Sequence, residues 1–107
     1  MRQVQIEEVA TNASGQLLVR PVLNSKESFA LVYRAAMGVN WDPRERALAT
    51  PSPNDWTHFE WFKQVVAAVA NEYGQQLVLQ PSTRWRGVAT DIRARIETWA
   101  QGGPTTG

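Results

Sequence analysis

The first half of the chain alternates between short apolar runs and turn residues, a pattern that predicts β-strands. Val4 and Ile6 alternate with polar residues, as in a strand with one buried face. Further apolar runs, rich in β-branched and aromatic residues, are separated by turns that contain Asn, Ser, Gly or Pro. These runs predict strands at residues 16–22, at 28–37 with a continuation at 39–41 after Gly38, and at 47–49.

The second half carries the apolar periodicity of helices. Residues 52–55 (Ser-Pro-Asn-Asp) are typical of a helix start, with a capping hydroxyl, a proline at the first helical position and an acidic side chain at the third. This helix is expected to run to Tyr73, because Gly74 is suited to end it. We expect a short buried strand at residues 76–79 and a last helix at 88–100.

These elements predict a single α+β domain over residues 1–101, followed by a disordered tail at 102–107. The expected fold is an antiparallel sheet of four to five strands, packed by a long central helix and a C-terminal helix. A chain of 107 residues has room for one core of this kind.

The long helix carries two apolar stripes. The stripe that we assign to the core consists of Phe59, Phe62, Val66, Val69 and Tyr73. A second stripe, on a different face, consists of Trp61, Val65 and Ala68. Another part of this chain, a second copy of the chain or a ligand could cover the second stripe. We predict a homo-oligomer, a dimer, in which this second stripe contributes to the interface.

Composition narrows the classes of function. The chain has no cysteine, so disulfides, thiolate nucleophiles and thiolate metal sites are excluded. A formal charge of +1 does not indicate attraction to a polyanion. Because no apolar run has the length of a signal peptide or a membrane span, we expect a cytoplasmic protein without a membrane partner. Five tryptophans are the unusual feature of the composition.

The candidate catalytic pair is Asp55 and His58. The two residues are three positions apart in the predicted helix, where a carboxylate can orient an imidazole. A metal site needs three or four ligands, and no His-x3-His spacing is present. A nucleophile elbow, a dinucleotide fingerprint and a phosphate loop are also absent from the sequence. We therefore predict no catalytic residue, no metal and no cofactor, with a small hydrolase-like enzyme that uses Asp55 and His58 as the alternative.

Arginines surround a tryptophan near the end of the chain, a composition found in proteins that bind single-stranded nucleic acid. The residues concerned are Arg84, Trp85, Arg86, Arg93 and Arg95. Asp91 and Glu97 lie at i, i+4 spacing from two of these arginines and would balance their charge. We therefore predict no nucleic-acid partner.

The aromatic residues suggest binding rather than catalysis. We expect a non-enzymatic, self-associating binding protein with an aromatic cleft for a small molecule or a protein partner. The residues expected to line this cleft are Arg34, Trp41, Trp56, Trp61 and Trp85.

Two segments of the sequence together carry a family resemblance. The first comprises Val-Asn-Trp-Asp-Pro at 39–43, Asp-Trp-Thr-His-Phe-Glu-Trp-Phe at 55–62 and Glu-Tyr-Gly at 72–74. The second comprises Thr-Arg-Trp-Arg-Gly-Val at 83–88, followed by Asp91-Ile92-Arg93 and Ile96. This pattern, over about residues 30–100, resembles small proteins encoded by mobile integron gene cassettes. The resemblance implies a compact bacterial α+β domain, often a homo-oligomer, without an assigned activity, and it carries over no catalytic residue.

Overall fold

The computed structural model describes residues 2–102, which form a six-stranded sheet and two α-helices. The strands are β1 (Arg2–Thr11), β2 (Leu17–Pro21), β3 (Asn40–Asp42), β4 (Ala47–Ala49), β5 (Gln75–Val78) and β6 (Arg84–Arg86). The helices are α1 (His58–Tyr73) and α2 (Thr90–Gly102), with a short 3-10 helix at Val32–Ala35. This architecture confirms the predicted α+β class. The disordered tail was predicted at 102–107. Gly102 is instead the last residue of α2, and residues 103–107 lie outside the described residues.

The sheet is mixed, which corrects the prediction of an antiparallel sheet. Its strand order is β3-β4-β2-β1-β5, and β6 also pairs with β1. The β1–β2, β2–β4 and β3–β4 pairs are antiparallel, whereas β5 and β6 both run parallel to β1. The parallel pairs arise because α1 carries the chain from β4 across the sheet before β5 begins, as a helical crossover does.

A register shift in β1 changes which alternate residues of the strand face the core. Val4 and Ile6 are buried, and the register with β2 shifts between Ile6 and Glu8. After this bulge Val9 takes the buried position, fully enclosed, and Glu8 is turned to the opposite face.

Strands β5 and β6 share one edge of β1. Strand β5 pairs with Arg2–Gln5 of β1, and β6 pairs with its residues 8–10. Thr83 bridges the gap between them, because its hydroxyl donates to the Ile6 carbonyl (2.6 Å) and accepts from the Gln80 backbone N–H (2.8 Å). The connection between the two strands is thereby tied to the sheet. Strand β6 was not predicted from the sequence.

Residues 28–37, which the sequence predicted as a strand, do not form one. The segment at 28–39 is instead a loop that contains the 3-10 helix and packs along α1. Three contacts, spread between Trp61 and Tyr73 of α1, hold the segment there. The Gln64 side-chain amide donates to the Met37 carbonyl (3.1 Å), and the Tyr73 hydroxyl accepts from the Leu31 backbone N–H (2.9 Å). Gly38 lies against the ring of Trp61.

This segment covers the second stripe of α1. Val65 and Ala68 are fully buried within the chain, and Trp61 is partly buried. The prediction that these three residues form an interface between copies is therefore wrong for Val65 and Ala68, because the chain itself encloses them. The first stripe is a core stripe as predicted, with Phe62, Val66 and Val69 buried.

Helix α1 begins later than the sequence predicted. Its N-cap is Thr57, whose hydroxyl accepts from the Glu60 backbone N–H (3.2 Å), while the Glu60 carboxylate accepts from the Thr57 backbone N–H (3.0 Å). This reciprocal capping box satisfies two backbone donors, whereas the Ser52 hydroxyl donates to the Ser14 carbonyl instead. The predicted end is confirmed, since Gly74 adopts a left-handed conformation and donates to the Ala70 carbonyl. Neither helix described here has both the length and the apolar character needed to span a bilayer.

Candidate functional site

A cleft of about 720 Å³ opens between β5, the β5–β6 connection and α2. Strand β5 contributes Gln76, Leu77 and Val78, and the following connection contributes residues 79–81. Helix α2 contributes the remaining wall near its C-terminal end. The parallel pairing of β5 with β1 also brings Gln3 to the rim, because Gln3 is the register partner of Gln76.

The floor of the cleft is aromatic and aliphatic. Trp99 reaches it from α2 and packs edge-on against Phe62 of α1, with ring centroids 6.0 Å apart. Trp85 reaches it from β6, where it is the register partner of the buried Val9. Both tryptophans are partly buried at the margin of the core, so each keeps some ring surface free for contact.

The rim of the cleft is built mainly from amides. Four glutamines line it, at positions 3, 76, 80 and 101. An amide side chain both donates and accepts hydrogen bonds, so such a rim suits neutral polar groups of either kind. Glu97 is the one charged side chain among the described residues that line the cleft.

Arg93 lies beside two of these lining residues. Its guanidinium carbon is 5.1 Å from the centroid of the Trp85 ring. Its Nε is 3.3 Å from Oε2 of Glu97, one turn further along α2. The predicted Arg93–Glu97 pair is therefore present, and it borders the cleft.

The five residues predicted to line one aromatic cleft do not share it. Trp85 alone of the five lines the large cleft. Trp56 and Trp61 pack against each other, with ring centroids 4.9 Å apart, and Trp56 is 40% exposed. Trp41 packs edge-on against Phe29 in the core, with centroids 6.1 Å apart. The fifth residue, Arg34, forms an ion pair with Glu72 (3.5 Å) on the helix side of the molecule.

The Asp55 and His58 side chains are not paired. The His58 Nε2 lies 2.9 Å from the Gly15 carbonyl oxygen, and this contact ties the start of α1 to the β1–β2 turn. Asp55 is exposed in the segment before α1. Within residues 2–102, no ion pair joins Asp55 to His58, and no three His, Asp or Glu side chains lie close enough to hold a metal ion.

Arg84 and Arg86 are occupied by carboxylates on the opposite face of the sheet. Arg84 pairs with Glu7 (3.0 Å), and Arg86 lies 3.4 Å from Glu8, which is also bound by Arg20. Burial of Glu8 opposes its ionisation and is the largest single influence on its pKa. The hydrogen bonds and charges of Arg86 and Arg20 together outweigh it and hold the pKa of the Glu8 carboxyl below its usual value.

Sequence reasoning missed most of this cleft. Trp99 was not among the residues predicted to line a cleft, and Glu97 was predicted only as an ion-pair partner. The glutamines of β5 and its connection flank a short apolar strand, a signal that such a strand is an edge. That signal could have pointed to the rim, but nothing local indicates that α2 would pack beside it.

A family model matches most of the chain. The model for Integron Cassette Protein Hfx_Cass5 matches residues 5–83. The chain is also similar to a solved structure described as Integron Cassette Protein Hfx_Cass5, from the mobile metagenome of the North West Arm sewage outfall. Identity is 35%, the similarity covers 94% of this chain and 97% of that chain, and the TM-score is 0.45. No curated protein matches the sequence.

The chain therefore belongs to the Hfx_Cass5 family of integron cassette proteins, which confirms the resemblance seen in its sequence. The family match ends at residue 83, before Trp85, Glu97 and Trp99.

Proposed function

We propose that this integron cassette protein is a non-enzymatic binding protein that holds a small molecule in the cleft between β5 and α2. The observation that carries the proposal is a cleft of about 720 Å³ whose floor is formed by Trp85, Trp99 and aliphatic side chains. Small-molecule sites typically have volumes of about 300–1,000 Å³ and apolar walls with a few polar groups. The volume of the cleft lies in this range, and its lining combines apolar side chains with four glutamines and one glutamate.

The chemistry of the cleft walls favours binding over catalysis. Acid–base and nucleophilic catalysis depend on a positioned base, acid or nucleophile, usually as a cooperating pair. Among the described lining residues, Glu97 alone is ionisable, and none carries a hydroxyl, an imidazole or an amine. A single carboxylate that already contacts Arg93 provides no second group for proton transfer.

The walls also indicate the shape of the ligand. Indole rings bind planar or aliphatic groups through large apolar contact areas, and offset or edge-on ring contacts add to that attraction. The glutamine rim can then bind polar substituents at the open side. The proposed ligand therefore has an apolar body that fits between Trp85 and Trp99 and a polar end near the rim.

The indole N–H signals of the five tryptophans provide a direct test by NMR. Titration of ¹⁵N-labelled protein with a library of soluble aromatic and alicyclic fragments should shift the signals of Trp85 and Trp99. The signal of Trp41, whose ring packs against Phe29 in the core, should stay in place. Replacement of individual tryptophans by phenylalanine assigns the signals.

A blocking variant sharpens this test. Ala100 lines the cleft from an exposed position of α2, so Ala100→Phe should fill the opening without disturbing the core. Ala94→Phe places the same side chain on an exposed position of α2 outside the lining and serves as the control. The fragment-induced shifts should disappear in the first variant and persist in the second. Shifts that occur only at Trp56 and Trp61, or that survive Ala100→Phe, would contradict the proposal.

A further inference from the structure

The charge of the cleft points to a class of ligand. Its described lining contains one carboxylate, Glu97, and no lysine, arginine or histidine. An anionic ligand would therefore meet a negative group and no cation at the cleft wall. A cationic ligand would meet a carboxylate beside two indole rings, the combination that attracts ammonium and guanidinium groups.

Arg93 shows that a cation is accommodated at this place. Its guanidinium group contacts both Trp85, at 5.1 Å from the ring centroid, and Glu97, at 3.3 Å. Arg93 does not itself line the cleft. Its side chain is about half exposed, and it acts as an internal cation for the two residues.

The Arg93–Glu97 contact is weak enough to be replaced. The side chains of Arg93 and Glu97 are 48% and 40% exposed, and ion pairs at such exposure contribute little to stability. The order of the two residues is also the less favourable one on a helix, since the acidic residue follows the basic one. A ligand cation can therefore take over Glu97 while the guanidinium of Arg93 turns to solvent.

We infer that the cleft binds an organic cation, an amine or guanidine with an apolar body, whose charge replaces that of Arg93 at Glu97 and Trp85. This inference rests on the proposed binding function. It adds the sign of the ligand's charge and the residue that recognises it.

Three probes of similar size and shape but different charge test the inference. They are 2-phenylethylamine, which is cationic at neutral pH, 2-phenylethanol, which is neutral, and 3-phenylpropanoate, which is anionic. The amine should bind about fivefold tighter than the alcohol, as expected for a partly exposed ion pair with Glu97. The anion should bind most weakly. Affinities come from titrations of the Trp85 and Trp99 indole signals.

Two variants of α2 identify the recognising group. Glu97→Gln keeps the shape of the side chain and should reduce the ratio of amine affinity to alcohol affinity to about one. Its control, Asp91→Asn, removes a charge from the same helix outside the cleft and should leave this ratio unchanged. Arg93→Gln removes the internal competitor and should tighten amine binding several-fold. Its control is Arg95→Gln, because the Arg95 guanidinium lies over Phe59, outside the lining.

The outcomes separate the inference from the proposed function. Equal binding of the amine and the alcohol in the cleft overturns the inference and leaves the binding function intact. Preference for the anion, or an amine preference that survives Glu97→Gln, also overturns the inference. If neither these probes nor the fragment library binds at Trp85 and Trp99, the proposed function fails as well. An amine preference that Glu97→Gln abolishes and Arg93→Gln increases supports the inference.

Discussion

The packing of residues 28–39 against α1 makes Gly38 a sensitive position. Gly38 has a φ of +79°, and a Cβ atom there would lie 3.0 Å from Cη2 and 3.3 Å from Cζ3 of the Trp61 ring. Gly38→Ala should therefore have two costs. The left-handed backbone costs about 1–2 kcal/mol for a residue with a side chain, and the crowding of Trp61 adds about 1–3 kcal/mol.

Gly74 provides a matched control for the backbone cost. It has a φ of +63°, and a Cβ atom there would meet no heavy atom within 4 Å. Gly74→Ala therefore carries the backbone cost without the crowding. Both substitutions also restrict the unfolded chain equally, so that effect cancels in the comparison. The difference between the two variants isolates the contact with Trp61.

Thermal and urea unfolding measure this difference. Gly38→Ala should lose about 1–3 kcal/mol more than Gly74→Ala, which for a domain of about 100 residues lowers Tm by at least about 4 °C more. In a Trp61→Phe background the distal ring atoms are gone, so the extra cost of Gly38→Ala should disappear. Equal losses for the two glycine variants in the parent protein would show that residues 28–39 do not lie against Trp61.

Two further predictions concern the charged groups on the opposite face of the sheet. The pKa of Glu8 is lower in the folded protein than its ordinary value. The ionised Glu8 carboxylate therefore stabilises the fold above the ordinary pKa, and this stabilisation is lost as the pH falls through the folded-state pKa. Glu8→Gln should accordingly flatten the acid side of a curve of Tm against pH. A parent curve with the same acid slope as the variant would refute this. Arg84 and Arg86 are paired with carboxylates, so the Kd for single-stranded DNA should exceed about 1 μM at physiological salt. The double substitution Arg84→Ala and Arg86→Ala should change this Kd little. Tight binding that falls steeply with added salt would contradict it.

Local chemistry accounts for the elements that were predicted well. The alternation at Val4 and Ile6 predicted β1. The Asp42 carboxylate accepts the backbone N–H groups of Arg44 and Glu45 in the turn between the strands predicted at 39–41 and 47–49. Gly74 ended α1 as expected, because only a residue without a side chain adopts its conformation without strain. Each of these signals depends on neighbours within a few residues.

The error at residues 28–37 and the error at the second stripe of α1 have the same cause. Phe29 and Val32 are strand-forming residues, and they are fully or almost fully buried, but against a helix instead of in a ladder. Because this segment was predicted as a strand of the sheet, it was not considered as a cover for Val65 and Ala68. A second copy of the chain was chosen from the possible covers instead. The packing of this segment on α1 accounts for both wrong predictions.

Helix capping shows how two local signals compete. The predicted start, Ser52, lies three residues before Asp55, and the observed N-cap, Thr57, lies three residues before Glu60. Thr57 is selected because Glu60 returns a hydrogen bond to its backbone N–H. The Ser52 hydroxyl instead donates a hydrogen bond to the carbonyl of Ser14, a residue distant in the sequence.

The sequence by itself determined the class of the fold, most of its elements and its family, because periodicity, turn chemistry and motif spacing are properties of short segments. Only the tertiary structure decided the direction of β5 and β6, the covering of the second stripe and the position of the cleft. Each of these depends on contacts between distant segments, such as Val9 with Trp85 and Phe62 with Trp99. The charge of the cleft follows in the same way, because Glu97 becomes a lining residue only when α2 packs against α1 and faces β5 across the cleft.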